Sequence, residues 1–174
     1  ITDRTFGAID LLGSVGFANY VPQNGAVYPT SLFGYRLASV AALIKADLGV
    51  EVIELDLQGW DKHSNMGPVS GDQAHLVNEL SQGLNALWKD LGTALDRTTV
   101  VVMSEFGRRA EQNGNLGADH GHGGLMMLLG GHVTGGRVAG AWPGLGLAQL
   151  DHGDLAVMTD YRNVLAEVMF RRLG

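Results

Sequence analysis

The run Thr98-Thr99-Val100-Val101-Val102-Met103 constrains the fold of this chain more than any other segment. An unbroken β-branched stretch, without the alternation of a half-exposed strand, suits a strand covered on both faces in a parallel sheet. The segments before it agree. Leu37, Val40, Ala41, Ile44 and Leu48 recur at intervals of three and four, predicting a helix over Leu32 to Leu48. Gly49 stands where a helix end prefers glycine, and Val50 to Leu57 follows as a strand. Ser70-Gly71-Asp72-Gln73 resembles a capping box, and the helix it opens carries Leu76, Val77, Leu80, Leu84, Leu87, Trp88 and Leu91 on one stripe. Helix, strand, helix, strand is the α/β pattern.

After Met103 the pattern changes. Residues 104–124 are polar and glycine-rich, with no crossover helix, before the apolar run Leu125 to Leu129. Parallel neighbours usually need such a helix, so this third strand is expected to turn back antiparallel to the second. A short strand is expected at Arg137-Val138-Ala139, and a last helix from about Thr159 to Leu173, with Asp160 at its positive end and Arg171 and Arg172 at its negative end. Residues 1–32 read as a loop-rich lead-in with at most one short helix.

Composition narrows the function. Glycine supplies 26 of 174 residues, about twice the ordinary share, and falls between apolar runs where backbone bends tightly. The net charge is −6 with no Lys/Arg tract, which argues against nucleic acid as a partner. No apolar run is long enough to span a bilayer. With no cysteine, thiolate zinc sites, iron–sulfur clusters and a Cys nucleophile are excluded. The chain opens Ile1-Thr2-Asp3, without initiator Met or export signal, and reads as a piece of a longer protein.

Chemistry concentrates in three loops at strand ends. Asp61 and His63 lie past the first strand, Glu105 past the second, and Asp119, His120 and His122 just before the third. With the third strand reversed, all three loops gather on one sheet edge, the usual binding edge of α/β proteins. Imidazoles and carboxylates converging there suit a divalent ion. Zinc and manganese accept imidazole best, and magnesium and calcium are the harder alternatives. Each piece has a plainer explanation: Asp-x-His as turn residues, Glu105 as a cap. Two His and an Asp within Asp119-His120-Gly121-His122 are harder to explain by packing. Arg108 and Arg109 could bind an anionic substrate or merely neutralise nearby carboxylates. His75 reads as surface, and Met103, Met126 and Met127 as core filler. Ser104 lacks a Gly-x-Ser-x-Gly elbow, so no nucleophile is visible.

Five ordered motifs carry a family resemblance: Gly59-Trp60-Asp61-Lys62-His63, Met103-Ser104-Glu105-Phe106-Gly107-Arg108, Asp119-His120-Gly121-His122-Gly123, Gly135-Gly136-Arg137-Val138 and Thr159-Asp160-Tyr161-Arg162. From about Phe33 to Gly174 the chain resembles the domain-of-unknown-function family 1501, which is similar to the alkaline phosphatase and sulfatase superfamily. That resemblance implies the C-terminal portion of a single domain, a three-layer α/β/α sandwich with a mostly parallel sheet and one or two divalent ions at its edge. It implies hydrolysis of phosphate or sulfate esters, with Asp61, His63, Glu105, Asp119 and His120 as metal ligands, and Arg108 and His122 toward an anionic small-molecule or polysaccharide ester. It also implies a nucleophile in an N-terminal half outside this chain, and twin-arginine export to a bacterial periplasm or surface. Two departures stand out. Glu105-Phe106 replaces the superfamily's Asp-His, and His122 replaces an Arg. The residues leave open a noncatalytic envelope protein that keeps the fold, and a calcium-stabilised module.

Overall fold

A computed structural model of the chain describes residues 3–174; Ile1 and Thr2 of the lead-in lie outside the described residues. The elements run α1 (Asp3–Gly13), α2 (Leu32–Ala46), α3 (Asp72–Leu91), β1 (Thr99–Val102), β2 (Gly107–Arg108), β3 (His120–Gly121), β4 (Met127–Gly130) and α4 (Tyr161–Leu173). Short 3₁₀ turns lie at Phe17–Asn19, Gly92–Arg97 and Leu147–Gln149. The chain divides into two units, Ile1–Gln58 with Val77–Leu95, and Gly59–Leu76 with Asp96–Gly174.

The first unit holds every buried hydrophobic side chain among the described residues: Phe33, Leu37, Ala41, Ala42, Ala86, Leu87, Leu91 and Leu95. Ser31 caps α2, its hydroxyl accepting from Gly34 N at 3.2 Å while donating to Glu79 of α3. The two helices meet closely at Gly83, where a Cβ would stand 2.7 Å from both Leu37 Cδ1 and Phe33 Cε1. The buried face of α3 is therefore Gly83, Ala86, Leu87, Asp90 and Leu91, narrower than the apolar stripe; Val77 and Trp88 stay about half exposed. The left-handed C-cap of α2 falls on Asp47 (φ 54°) rather than on Gly49.

Asp90 is fully buried at the centre of this unit. Its Oδ1 accepts from Gln23 N at 2.8 Å and Lys45 Nζ at 2.5 Å, its Oδ2 from Tyr28 OH at 2.8 Å, and Tyr20 OH reaches both oxygens at 2.9 Å. Burial pushes the carboxyl up, and the bonds from Gln23, Lys45, Tyr28 and Tyr20 outweigh it, holding Asp90 below the usual carboxylate range. Burial, reinforced by Asp90, pushes the phenols of Tyr28 and Tyr20 up.

In the second unit β1 pairs antiparallel with β4, Thr99 opposite Gly130 and Val102 opposite Met127, the reversal expected from the missing crossover helix. β2 pairs antiparallel with β3, Gly107 opposite Gly121 and Arg108 opposite His120. No parallel ladder forms among the described residues, so these residues do not build the mostly parallel sheet of the expected three-layer sandwich. The reason lies in Val50–Leu57. Expected as a strand, it finds no partner backbone, and Val52 is 73 % exposed. Every position of β1 is only partly buried, and Met103 and Met127 are partly exposed, at 45 % and 38 %, rather than core filler. Arg137–Ala139 is irregular, with Val138 fully exposed. Asp160 caps α4 by accepting from Arg162 N, and Arg172 ties the far end of that helix to β1 through Thr99 Oγ1 at 2.7 Å. No helix among the described residues is long and apolar enough to cross a membrane.

Candidate metal centre

Two backbone crossings in the second unit bring the chemistry together. Residues 62–66 run antiparallel to 115–118: Asn65 N donates to Asn115 O, Met66 N to Leu116 O and Ala118 N to Lys62 O. Gly117 permits this approach, since a Cβ there would stand 2.3 Å from His63 C. The second crossing is the β2–β3 pair, which sets Arg108 directly opposite His120. Gly107 is required there because its Cβ would lie 1.7 Å from Gly123 O.

Together these crossings aim Asp61, His63 and His120 at one point, the three ligand atoms lying within 4.8 Å of one another. Asp61 Oδ1 stands 3.0 Å from His63 Nε2 and 3.1 Å from His120 Nε2, and the two nitrogens are 2.9 Å apart. Ligands about 2.1 Å from an ion are separated by about 3.0 Å at right angles and about 3.4 Å in a tetrahedron. The edges of the triangle are closer to the right-angle spacing.

The supporting contacts orient these ligands. Asp119 Oδ1 lies 3.0 Å from His63 Nδ1, on the side of the ring away from the cluster. An ionised carboxylate only accepts, so Asp119 receives the proton of Nδ1 as Asp61 receives one from Nε2, each at 3.0 Å when that nitrogen is protonated. Hydrogen bonds from His63 first, then Asn113, hold the Asp119 carboxyl below the usual range. Arg108 Nη2 donates to Asp61 Oδ1 at 2.7 Å and to Trp60 O at 3.1 Å, while Nη1 donates to Ala118 O at 2.9 Å. Bonds from Arg108 and then His120 hold the Asp61 carboxyl down at about 2. The Phe106 ring packs on the His120 ring with centroids 4.1 Å apart.

Residues 29–163, more than half of the chain, match the family model described as Protein of unknown function (DUF1501). The chain belongs to the DUF1501 family. No curated protein and no solved structure matches it. The DUF1501 match begins slightly before Phe33 and stops short of Gly174, so it contains the whole cluster but not the end of α4.

Not all the expected site residues of this DUF1501 chain converge. Asp61, His63 and His120 do, with Asp119 behind His63. Glu105 is exposed and outside the cluster. Arg108 is occupied as a strut between loops. His122 faces away, its Nδ1 3.2 Å from Asp154 Oδ2 and 3.8 Å from Asp151 Oδ2. Ser104 donates its hydroxyl proton to Phe106 O at 2.8 Å. The sequence reading missed Asn113, Phe106 and the nearly buried Asp154. Asn113-Gly114 is a turn signal, which speaks of conformation and not of partners.

The crossing at Gly117 yields a direct prediction. Gly117→Ala is expected to lower stability by about 1–3 kcal/mol through overpacking and to displace His63 from Asp61. Gly114→Ala, with nothing within 4 Å of the added carbon, should change neither. Thermal melts and metal titrations of the two variants check this.

Proposed function

We propose that this chain contributes a divalent-metal site to a sulfatase-like hydrolase of phosphate or sulfate esters. The observation that supports this best is the convergence of Asp61 Oδ1, His63 Nε2 and His120 Nε2 on one point. The proposal includes the resemblance to the alkaline phosphatase superfamily: the three-layer sheet as the fold of the complete domain, and an exported location. A bound ion would polarise an ester oxygen and stabilise charge developing on it. The chain's own residues then have assigned work. Asp61, His63 and His120 hold the ion, Asp119 fixes the His63 ring, and Arg108 keeps Asp61 ionised and turned inward. The nucleophile and any second ion would come from elsewhere in the protein.

Two imidazoles and one carboxylate on one face also suit ferrous iron, so iron belongs among the metals assayed. The test is elemental analysis of the purified protein after exposure to zinc, manganese, magnesium, calcium and iron separately, followed by hydrolysis of p-nitrophenyl phosphate and p-nitrophenyl sulfate. One equivalent of metal and metal-dependent turnover of either ester are expected. Metal bound without turnover would favour the noncatalytic envelope reading, and no metal at all would remove the site.

A further inference from the structure

We infer that Phe106 is a positioning residue whose ring face holds the imidazole of His120 toward Asp61 and His63. The Zn²⁺ arm of the test rests on the metal reading; the rest concerns the chain alone. The two histidines of the cluster are held differently. His63 is met from both sides, with Asp119 Oδ1 3.0 Å from Nδ1 and Asp61 Oδ1 3.0 Å from Nε2. The His120 side chain makes its polar contacts among the described residues through Nε2 alone, to Asp61 Oδ1 at 3.1 Å and His63 Nε2 at 2.9 Å. A contact at the tip leaves a half-exposed ring free to pivot about it.

Phe106 supplies the missing restraint. Its ring lies against that of His120 with centroids 4.1 Å apart and planes tilted by 34°. Aromatic rings in contact have preferred mutual orientations, so this contact restricts the plane of the imidazole as well as its position. The backbone delivers Phe106 by two devices. Ser104 Oγ donates to Phe106 O at 2.8 Å, closing the turn after β1, and Gly107 has no Cβ to strike Gly123 O. Arg108 carries its guanidinium carbon to 5.9 Å from the Phe106 ring centre while bonding Asp61. One phenyl ring thus lies beside the strut of one cluster residue and against the face of another.

Phe106→Leu keeps an apolar side chain without the ring face, and Phe106→Tyr keeps the face. The χ1 rotamers of His63 and His120 are read from three-bond couplings in the metal-free intact protein, labelled with ¹³C,¹⁵N-histidine, at one fixed pH. Signals are assigned by their loss in His63→Gln and His120→Gln. Wild type and Phe106→Tyr are expected to show one rotamer at His120, and an NOE between the two imidazoles, whose centroids are 4.6 Å apart. In Phe106→Leu the His120 couplings should average and the NOE should vanish, while His63, met by Asp119, keeps one rotamer. Zn²⁺ affinity should fall about 10–100-fold in Phe106→Leu and return in Phe106→Tyr. Phe106 is 37 % exposed, so its replacement should leave the fold intact; if Phe106→Leu melts early, Phe106→Gln takes its place with the same expectations. An averaged His120 in the wild type, or an unmoved one in Phe106→Leu, overturns the proposal. So does equal averaging of His63, the mark of a loosened crossing, or a Phe106→Tyr that behaves like Phe106→Leu. Should the wild type bind no Zn²⁺, the metal reading falls and the His120 rotamer alone decides this one.

Discussion

Asp90→Ala is expected to destabilise the first unit by about 3–5 kcal/mol, the range for removing one partner of a buried ion pair. The substitution strands several groups at once. Lys45 Nζ, only 18 % exposed in its side chain, loses the carboxylate it pairs with, and Tyr20, Tyr28 and the Gln23 amide lose their acceptor. Asp90→Asn keeps the shape but removes the charge and turns one acceptor into a donor facing donors, so it should recover little. The pH dependence follows from the signs. Asp90 is held below its unfolded pKa, so its contribution is present above about pH 4 and is lost as pH falls toward the folded value. Tyr28 and Tyr20 are raised, so theirs is present below about pH 10 and is lost as pH climbs through the folded values. Urea unfolding followed by far-UV circular dichroism should show a plateau between those limits in the wild type. In Asp90→Ala the acid limb should flatten. A variant within 1 kcal/mol of wild type at neutral pH would mean that the network is solvated and contributes little.

The same network marks the boundary of what the sequence discloses. Helical spacing locates α2 and α3 to within a few residues, and Leu37, Ala41, Leu87 and Leu91 are buried on the faces so read. Gly83 and Ala86 escape notice because a hydrophobic stripe does not register the small residues that let helices approach. Asp90 escapes because its donors come from 45 to 70 residues away. At the candidate site the opposite holds. Asp61-x-His63 and Asp119-His120 are local pairs at strand ends, where residue type and spacing already suggest shared chemistry. Which neighbours join them depends on two backbone crossings at Gly107 and Gly117. The turn after β1 leaves Glu105 in solvent, and the β2–β3 register directs His122 to Asp154. Spacing cannot specify either. Val50–Leu57 has strand composition without strand pairing, because a ladder needs a second backbone that composition does not supply.

His120→Ala and Asp61→Ala are expected to strip the chain of metal, while Glu105→Gln keeps it. Each of the first two removes one of three ligand atoms spaced 2.9 to 3.1 Å apart. The loss should exceed the roughly 100-fold that a merely supporting residue costs. Glu105 is outside that triangle, so its charge is felt only through solvent. The second unit adds a stability readout. No hydrophobic side chain is buried in it among the described residues, and its loops are held by hydrogen bonds and ion pairs. Metal at 100 times its dissociation constant should therefore raise stability by about 2.7 kcal/mol in wild type and in Glu105→Gln, and by nothing measurable in the ligand variants. Acidification should release the ion because imidazole ligands must be deprotonated. Asp61, held down at about 2, stays ionised through that release. If Glu105→Gln also empties the site, the triangle is incomplete as a ligand set. The loop after β1 must then swing inward on binding.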